Sequence, residues 1–103
     1  MTPLTKQPVD PLLLRRFPRQ FGAVDRDLVY RGLLRGLSPL ELALYLVLIC
    51  VSDPQGLSYY SDRRLGELLA APPGLIVAAR DGLLRHRLLL FRAPIYQLLD
   101  LPA

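Results

Sequence analysis

The sequence predicts a mainly α-helical domain with a small β-hairpin near its end, on three observations. From Ser61 the chain reads SDRRLGELLAAPPGLIVAARDGLLRHRLLLFR, with two stripes of apolar residues at helical intervals separated by a proline pair. Ahead of it, Ser38-Pro39-Leu40-Glu41 combines a capping serine, a proline at the first helical position and a glutamate three residues on, which opens a helix. Beyond Arg87 the helical period stops. Two short apolar-rich stretches, 88–92 and 95–99, then flank Ala93-Pro94 as a hairpin would.

Length and composition agree with one such domain. The chain has 103 residues, 51% hydrophobic and 21% charged. That is too apolar for a disordered chain and large enough to build a core without disulfides. For so small a domain it is also rich in apolar residues, which favours a second copy or another partner as cover. The net charge is +4, carried by twelve arginines and one lysine, and a basic balance favours anionic partners such as nucleic acid. No run reaches the ~18 apolar residues of a membrane span, and Leu12-Leu13-Leu14 is too short for a secretory leader, so a cytoplasmic location is expected.

Taken in order, residues 1–20 hold Pro3, Pro8, Pro11 and Pro18 without a sustained period and read as an extended basic arm with Lys6, Arg15, Arg16 and Arg19. The arm either reaches along a duplex, solubilises the chain, or lays Leu12, Leu13, Leu14 and Phe17 over the apolar body. Residues 21–103 form the domain proper. In it, 24–35 reads as a short amphipathic helix, with Asp25 or Asp27 at its positive end, Arg35 at its negative end and Gly36 as its stop. The helix opened by Ser38 continues through 42–51, where every residue is apolar, so it must be packed round most of its circumference. Leu40, Leu44, Val47, Leu48 and Val51 are expected to face the helices that follow. Leu42, Leu46 and Ile49 need cover from the 24–35 helix, the arm or a second subunit. Cys50, the single cysteine, is expected to be a small buried hydrophobe.

Ser52-Asp53-Pro54-Gln55-Gly56 is a turn by composition, and 57–60 a short strand whose Tyr59 and Tyr60 are expected to bridge to the core, with stacking on bases or contact with phosphates as the alternative. Ser61 is the N-cap of the next helix, which carries Leu65, Leu68 and Leu69. Ala70, Ala71, Pro72, Pro73 and Gly74 form the turn, since proline has no amide proton and the residue before it avoids helical dihedrals. Ile76, Ala79 and Leu83 then press the second helix against the first.

Leu65, Glu67 and Leu69, then Ile76, Ala79 and Leu83, with the exit Arg87-Leu88-Leu89, resemble the winged helix-turn-helix family over roughly residues 38–101. The resemblance implies a short first strand at 57–60 and a two-stranded wing after Leu88. It further implies double-stranded DNA as partner, and the apolar excess makes the binding species a homodimer in this reading. Arg63 and Arg64 at the first motif helix, Arg85 and Arg87 at the end of the second, and Arg92 at the wing turn would then lie near phosphates, joined by Arg15, Arg16 and Arg19 of the arm.

The outward face of the second motif helix departs from the family pattern. With Ile76, Ala79 and Leu83 inward, Gly74, Ala78, Asp81 and Arg85 turn out, and only Arg85 is a residue type that reads base edges. Limited base reading is therefore expected. A winged helix serving protein association without DNA is the competing function. Arg80, one turn on from Ile76, is expected to be structural, through an ion pair with one of Glu41, Asp53, Asp62 or Glu67 or a contact with a carbonyl, the competing reading being that a slightly rotated helix sends it to a phosphate. His86, the only histidine, is expected to contact carbonyls or sit at the edge of the core. No metal spacing, cofactor loop or nucleophile with its base is present, so no cofactor and no catalysis are expected.

Overall fold

A computed structural model describes residues 5–103; residues 1–4 of the arm lie outside the described residues. The order of elements is α1 (Asp27–Tyr30), α2 (Pro39–Val51), β1 (Leu57–Ser58), α3 (Asp62–Leu69), α4 (Pro73–Arg85), β2 (Leu89–Arg92) and β3 (Ile95–Leu98). The molecule is therefore mostly helical with one small antiparallel sheet, in strand order β1-β3-β2. No helix among the described residues is long and apolar enough to cross a membrane.

Local chemistry starts each of the two helices that the sequence marks most strongly. Ser38 Oγ accepts from the Glu41 amide while the Glu41 carboxylate accepts from the Ser38 amide, so two orphan donors are satisfied and Pro39 follows as the first helical residue. Ser61 Oγ accepts from the Arg64 amide at the start of α3. Leu44 and Leu48 of α2, Leu65 of α3, and Ile76 and Leu83 of α4 meet Leu88, Leu89 and Tyr96 in a core from which solvent is excluded. Each of these side chains contributes about 1.5–3 kcal/mol by leaving water. Register makes the sheet part of that core. Leu89 pairs with Leu98 and Phe91 with Tyr96, which puts these four on the inner face, while Leu90 opposite Gln97 and Arg92 opposite Ile95 lie on the outer one.

Several expectations are corrected. Residues 24–35 do not form one helix: Gly32 takes a left-handed φ of 70°, which ends the single turn of α1 at Arg31, and Leu33–Gly36 is a 3-10 turn. The first strand is only two residues long, and Tyr59 is exposed while Tyr60 packs at the core edge. Pro73 and Gly74 belong to α4, since a proline is accepted at the first helical position, so the connection shortens to Ala70-Ala71-Pro72. Leu68 is exposed because eight residues of α3 offer only one inward stripe, and Leu65 fills it. On α2, Ile49 is buried but Leu46 and Cys50 are exposed. An apolar composition all round the helix had hidden that face. The arm does not cover it either, for Leu12, Leu13, Leu14 and Phe17 stand free in solvent.

The tight link between α3 and α4 depends on Gly66. The Ala71 amide donates to the Gly66 carbonyl, and a β-carbon on Gly66 would come 2.5 Å from the Ala71 carbonyl oxygen, which is backbone and has nowhere to go. Gly74 by contrast meets nothing within 4 Å. Gly66→Ala is expected to lower stability by about 1–3 kcal/mol despite the better helix propensity of alanine. Gly74→Ala should raise it by roughly 0.5–1 kcal/mol. Chemical denaturation of the two variants checks the opposite signs, and equal shifts would contradict the packing.

Candidate nucleic-acid interface

The side chain that organises this surface is Arg80. It projects from the middle of α4 with 11% of its side chain exposed, and its Nη1 donates to Asp62 Oδ1 at 2.6 Å and to Tyr96 Oη at 3.0 Å. Its guanidinium carbon lies 4.3 Å from the centroid of the Phe91 ring, a cation–π contact. Phe91 and Tyr96 in turn pack together with their rings tilted by 42° and centroids 4.5 Å apart. One guanidinium thus joins the first residue of α3, the middle of α4 and both strands of the hairpin. The carboxylate it selects, of the four that the sequence offered, is Asp62.

Electrostatics follow from that arrangement. Burial disfavours the Arg80 cation, but the bonds to Tyr96 and Asp62 outweigh it and leave the pKa above its ordinary value. Burial pushes the Tyr96 phenol above 10.0, the bond from Arg80 opposing, and burial with the nearby Asp25 charge does the same to Tyr45.

Around this joint the structure sorts the candidate arginines into three places. Arg63 and Arg64 follow Asp62 on the first turn of α3, both exposed, and both reach the single carboxylate of Glu67, at 3.4 and 3.3 Å. Such exposed pairs contribute about 0–1 kcal/mol, so the two side chains remain free to exchange Glu67 for another anion. Arg92 follows Phe91 into the hairpin turn and is exposed. Along the chain these three adjoin members of the Arg80 joint, Arg63 and Arg64 next to Asp62 and Arg92 next to Phe91. Arg85 and Arg87 are also exposed but sit at the other end of the hairpin, where the Leu99 amide donates to the Leu88 carbonyl. Arg87 is held there with a left-handed φ of 57°. Arg15, Arg16 and Arg19 lie on the arm and belong to neither group.

No protein-family model, no curated protein and no solved structure matches this chain. What the surface can do therefore rests on its own residues. On the outer face of α4, Gly74, Leu75, Val77, Ala78, Asp81 and Arg85 are exposed, an apolar strip with one potential base reader. Sequence reasoning missed the contribution of Leu75 and Val77 to that strip, although both fall beside the inward position Ile76. It also assigned Tyr59 to the core, whereas Tyr59 stands exposed just ahead of α3 and shares a concave surface with Ile95 of the hairpin. His86 is structural: its Nδ1 donates to the Gly82 carbonyl at 2.8 Å, and its Nε2 lies against Gly36.

The buried phenols give the domain a pH limit on the alkaline side. A phenol whose folded pKa is raised contributes stability that is complete below its unfolded value and is lost as pH rises through the folded one. Unfolding temperature is accordingly expected to fall as pH climbs above about 10, and Tyr96→Phe should make that fall shallower. Parallel thermal melts across this range check it; identical slopes would show that Tyr96 does not titrate with unfolding.

Proposed function

We propose that the chain is a winged helix-turn-helix protein that binds double-stranded DNA through arginine–phosphate contacts with little base reading. The order α2-β1-α3-α4-β2-β3 and the antiparallel hairpin after α4 are what the resemblance implies, and they support it. The observation that carries the reading is the placement of Arg63, Arg64 and Arg92. Three exposed arginines follow residues of the Arg80 joint in the chain, and solvent-exposed guanidiniums that are only weakly paired suit a polyanion. Tyr59 adds an exposed hydroxyl and aromatic face two residues ahead of the Ser61 cap of α3. Sequence preference would be slight, since the outward side of α4 offers glycine, alanine and aliphatics where base edges call for donors and acceptors.

A second reading, protein association through the α4 face, is favoured by one observation: Leu75 and Val77 are exposed on the helix that would enter a groove. The two readings differ in their response to salt. Binding to a random-sequence duplex should weaken steeply as salt rises, the logarithm of affinity falling by about 0.9 per phosphate neutralised for each decade of salt. In the triple variant Arg63→Ala, Arg64→Ala, Arg92→Ala the slope should shrink by roughly 1 for each arginine removed from a phosphate. Fluorescence anisotropy over a salt series measures both. Absence of binding at low salt, or a slope that the triple variant leaves intact, would overturn the proposal.

A further inference from the structure

The arm is the part of the molecule that the DNA reading leaves unexplained. Every described residue up to Asp27 is exposed, yet within 9–21 Val9, Leu12, Leu13, Leu14, Phe17 and Phe21 are each more than 60% exposed. So much apolar surface on one segment marks an interaction site. The arm also has a definite shape. Asp10 caps a 3-10 turn at Pro11–Leu13 by accepting from the Leu12 amide, and the rings of Phe17 and Phe21 meet edge to face with centroids 5.1 Å apart. It extends away from the body, giving a molecule 51 Å long against 30 and 27 Å across, with a radius of gyration of 16.4 Å where a compact chain of this length has about 13 Å.

A matching unpartnered surface lies on the same chain. Leu42, Leu46 and Cys50 succeed one another at four-residue spacing on the outer side of α2, half-buried at Leu42 and exposed at the other two. The arm leaves the body at one end of this stripe. Gly22 packs so closely on the last turn of α2 that a β-carbon there would fall 2.7 Å from the Ile49 carbonyl oxygen, and Arg19 to Gly22 share a concave surface with Cys50.

We infer that two copies of this chain exchange arms, residues 9–21 of each lying across the Leu42–Leu46–Cys50 stripe of the other. The geometry is that of a two-fold interface, in which one arm and one stripe per copy are both satisfied by the same operation. Reach is sufficient: thirteen residues span up to about 43 Å, while α2, with its thirteen residues, is about 20 Å long. Area is sufficient too. Two phenylalanines and four aliphatic side chains over a facing stripe supply on the order of the 800 Å² per partner that stable interfaces bury. A second copy is the occupant that accounts for donor and acceptor surfaces together, because the arm starts beside the stripe it would fill on its neighbour.

The test uses the full chain in sedimentation velocity at micromolar concentration. Wild type is expected to be a dimer, and both Leu13→Asp/Phe17→Asp in the arm and Leu46→Asp on the stripe are expected to be folded monomers by circular dichroism, since these side chains bury little within one copy. Mixing the two variants should restore a heterodimer, because the sound arm of one then meets the sound stripe of the other. Alkylation of Cys50 supplies an independent readout, slowed roughly tenfold or more in wild type relative to the arm variant. A monomeric wild type, a dimer that survives both variants, a mixture that stays monomeric, or equal alkylation rates would each overturn arm exchange.

Discussion

The contact between Arg80 and the group formed by Asp62, Tyr96 and Phe91 is the constraint on which the motif end of this domain depends. A hairpin of two four-residue strands and a helix of eight residues are each too short to hold their positions alone. Arg80 fixes them together by meeting a carboxylate at the head of α3, a phenol on β3 and an aromatic face on β2 from a single side chain. The partially buried cation tolerates its surroundings because the bonds to Asp62 and Tyr96 and the Phe91 ring replace the water it gives up. Arginine suits this position and lysine does not, since the planar fork can donate in two directions while stacking on a ring.

Packing on the other side complements that joint. Glu41 closes the capping box of α2 and is itself buried against Gly82 of α4, where a β-carbon would overlap its carboxylate. The glycine lets the two helices approach, and the cap keeps the carboxylate from being an unpaired buried charge. Consequently α4 is gripped near its C-terminal end by α2 and at its middle by the joint. The backbones of α3, α4 and the hairpin are then held in fixed relation to one another.

Sequence made the locally encoded parts legible and left out those decided by tertiary context. The Ser38 and Ser61 caps, the Ile76, Ala79 and Leu83 stripe and the hairpin about Ala93-Pro94 all follow from interactions within a few residues, and the structure contains each of them. Arg80 was also readable as an ion-pair former, because its spacing from Ile76 turns it toward the core edge. The continuous helix over 24–35 was not there to be found, since a left-handed glycine at 32 outweighed the amphipathic pattern around it. For 42–51 the helical period put Leu46 on the side away from the following helices but could not say what covers it, and uniform apolarity put Cys50 inside, so the exposure of both is decided by the packed neighbours. Among the candidate arginines, spacing identified exposed positions but not their grouping. That Arg63 and Arg64 adjoin one member of the Arg80 joint and Arg92 another, while Arg85 and Arg87 stand at the far end of the hairpin, depends on how Arg80 links α3 to the hairpin.

Amide hydrogen exchange in Arg80→Leu tests the central role of this joint most directly. If Arg80 ties α3 and the hairpin to α4, the variant will lose protection together over Asp62–Leu69, Leu89–Arg92 and Ile95–Leu98, while the Leu44 and Leu48 amides of α2 keep theirs. Loss confined to the turn of α4 around residue 80, or no loss at all, would contradict the account.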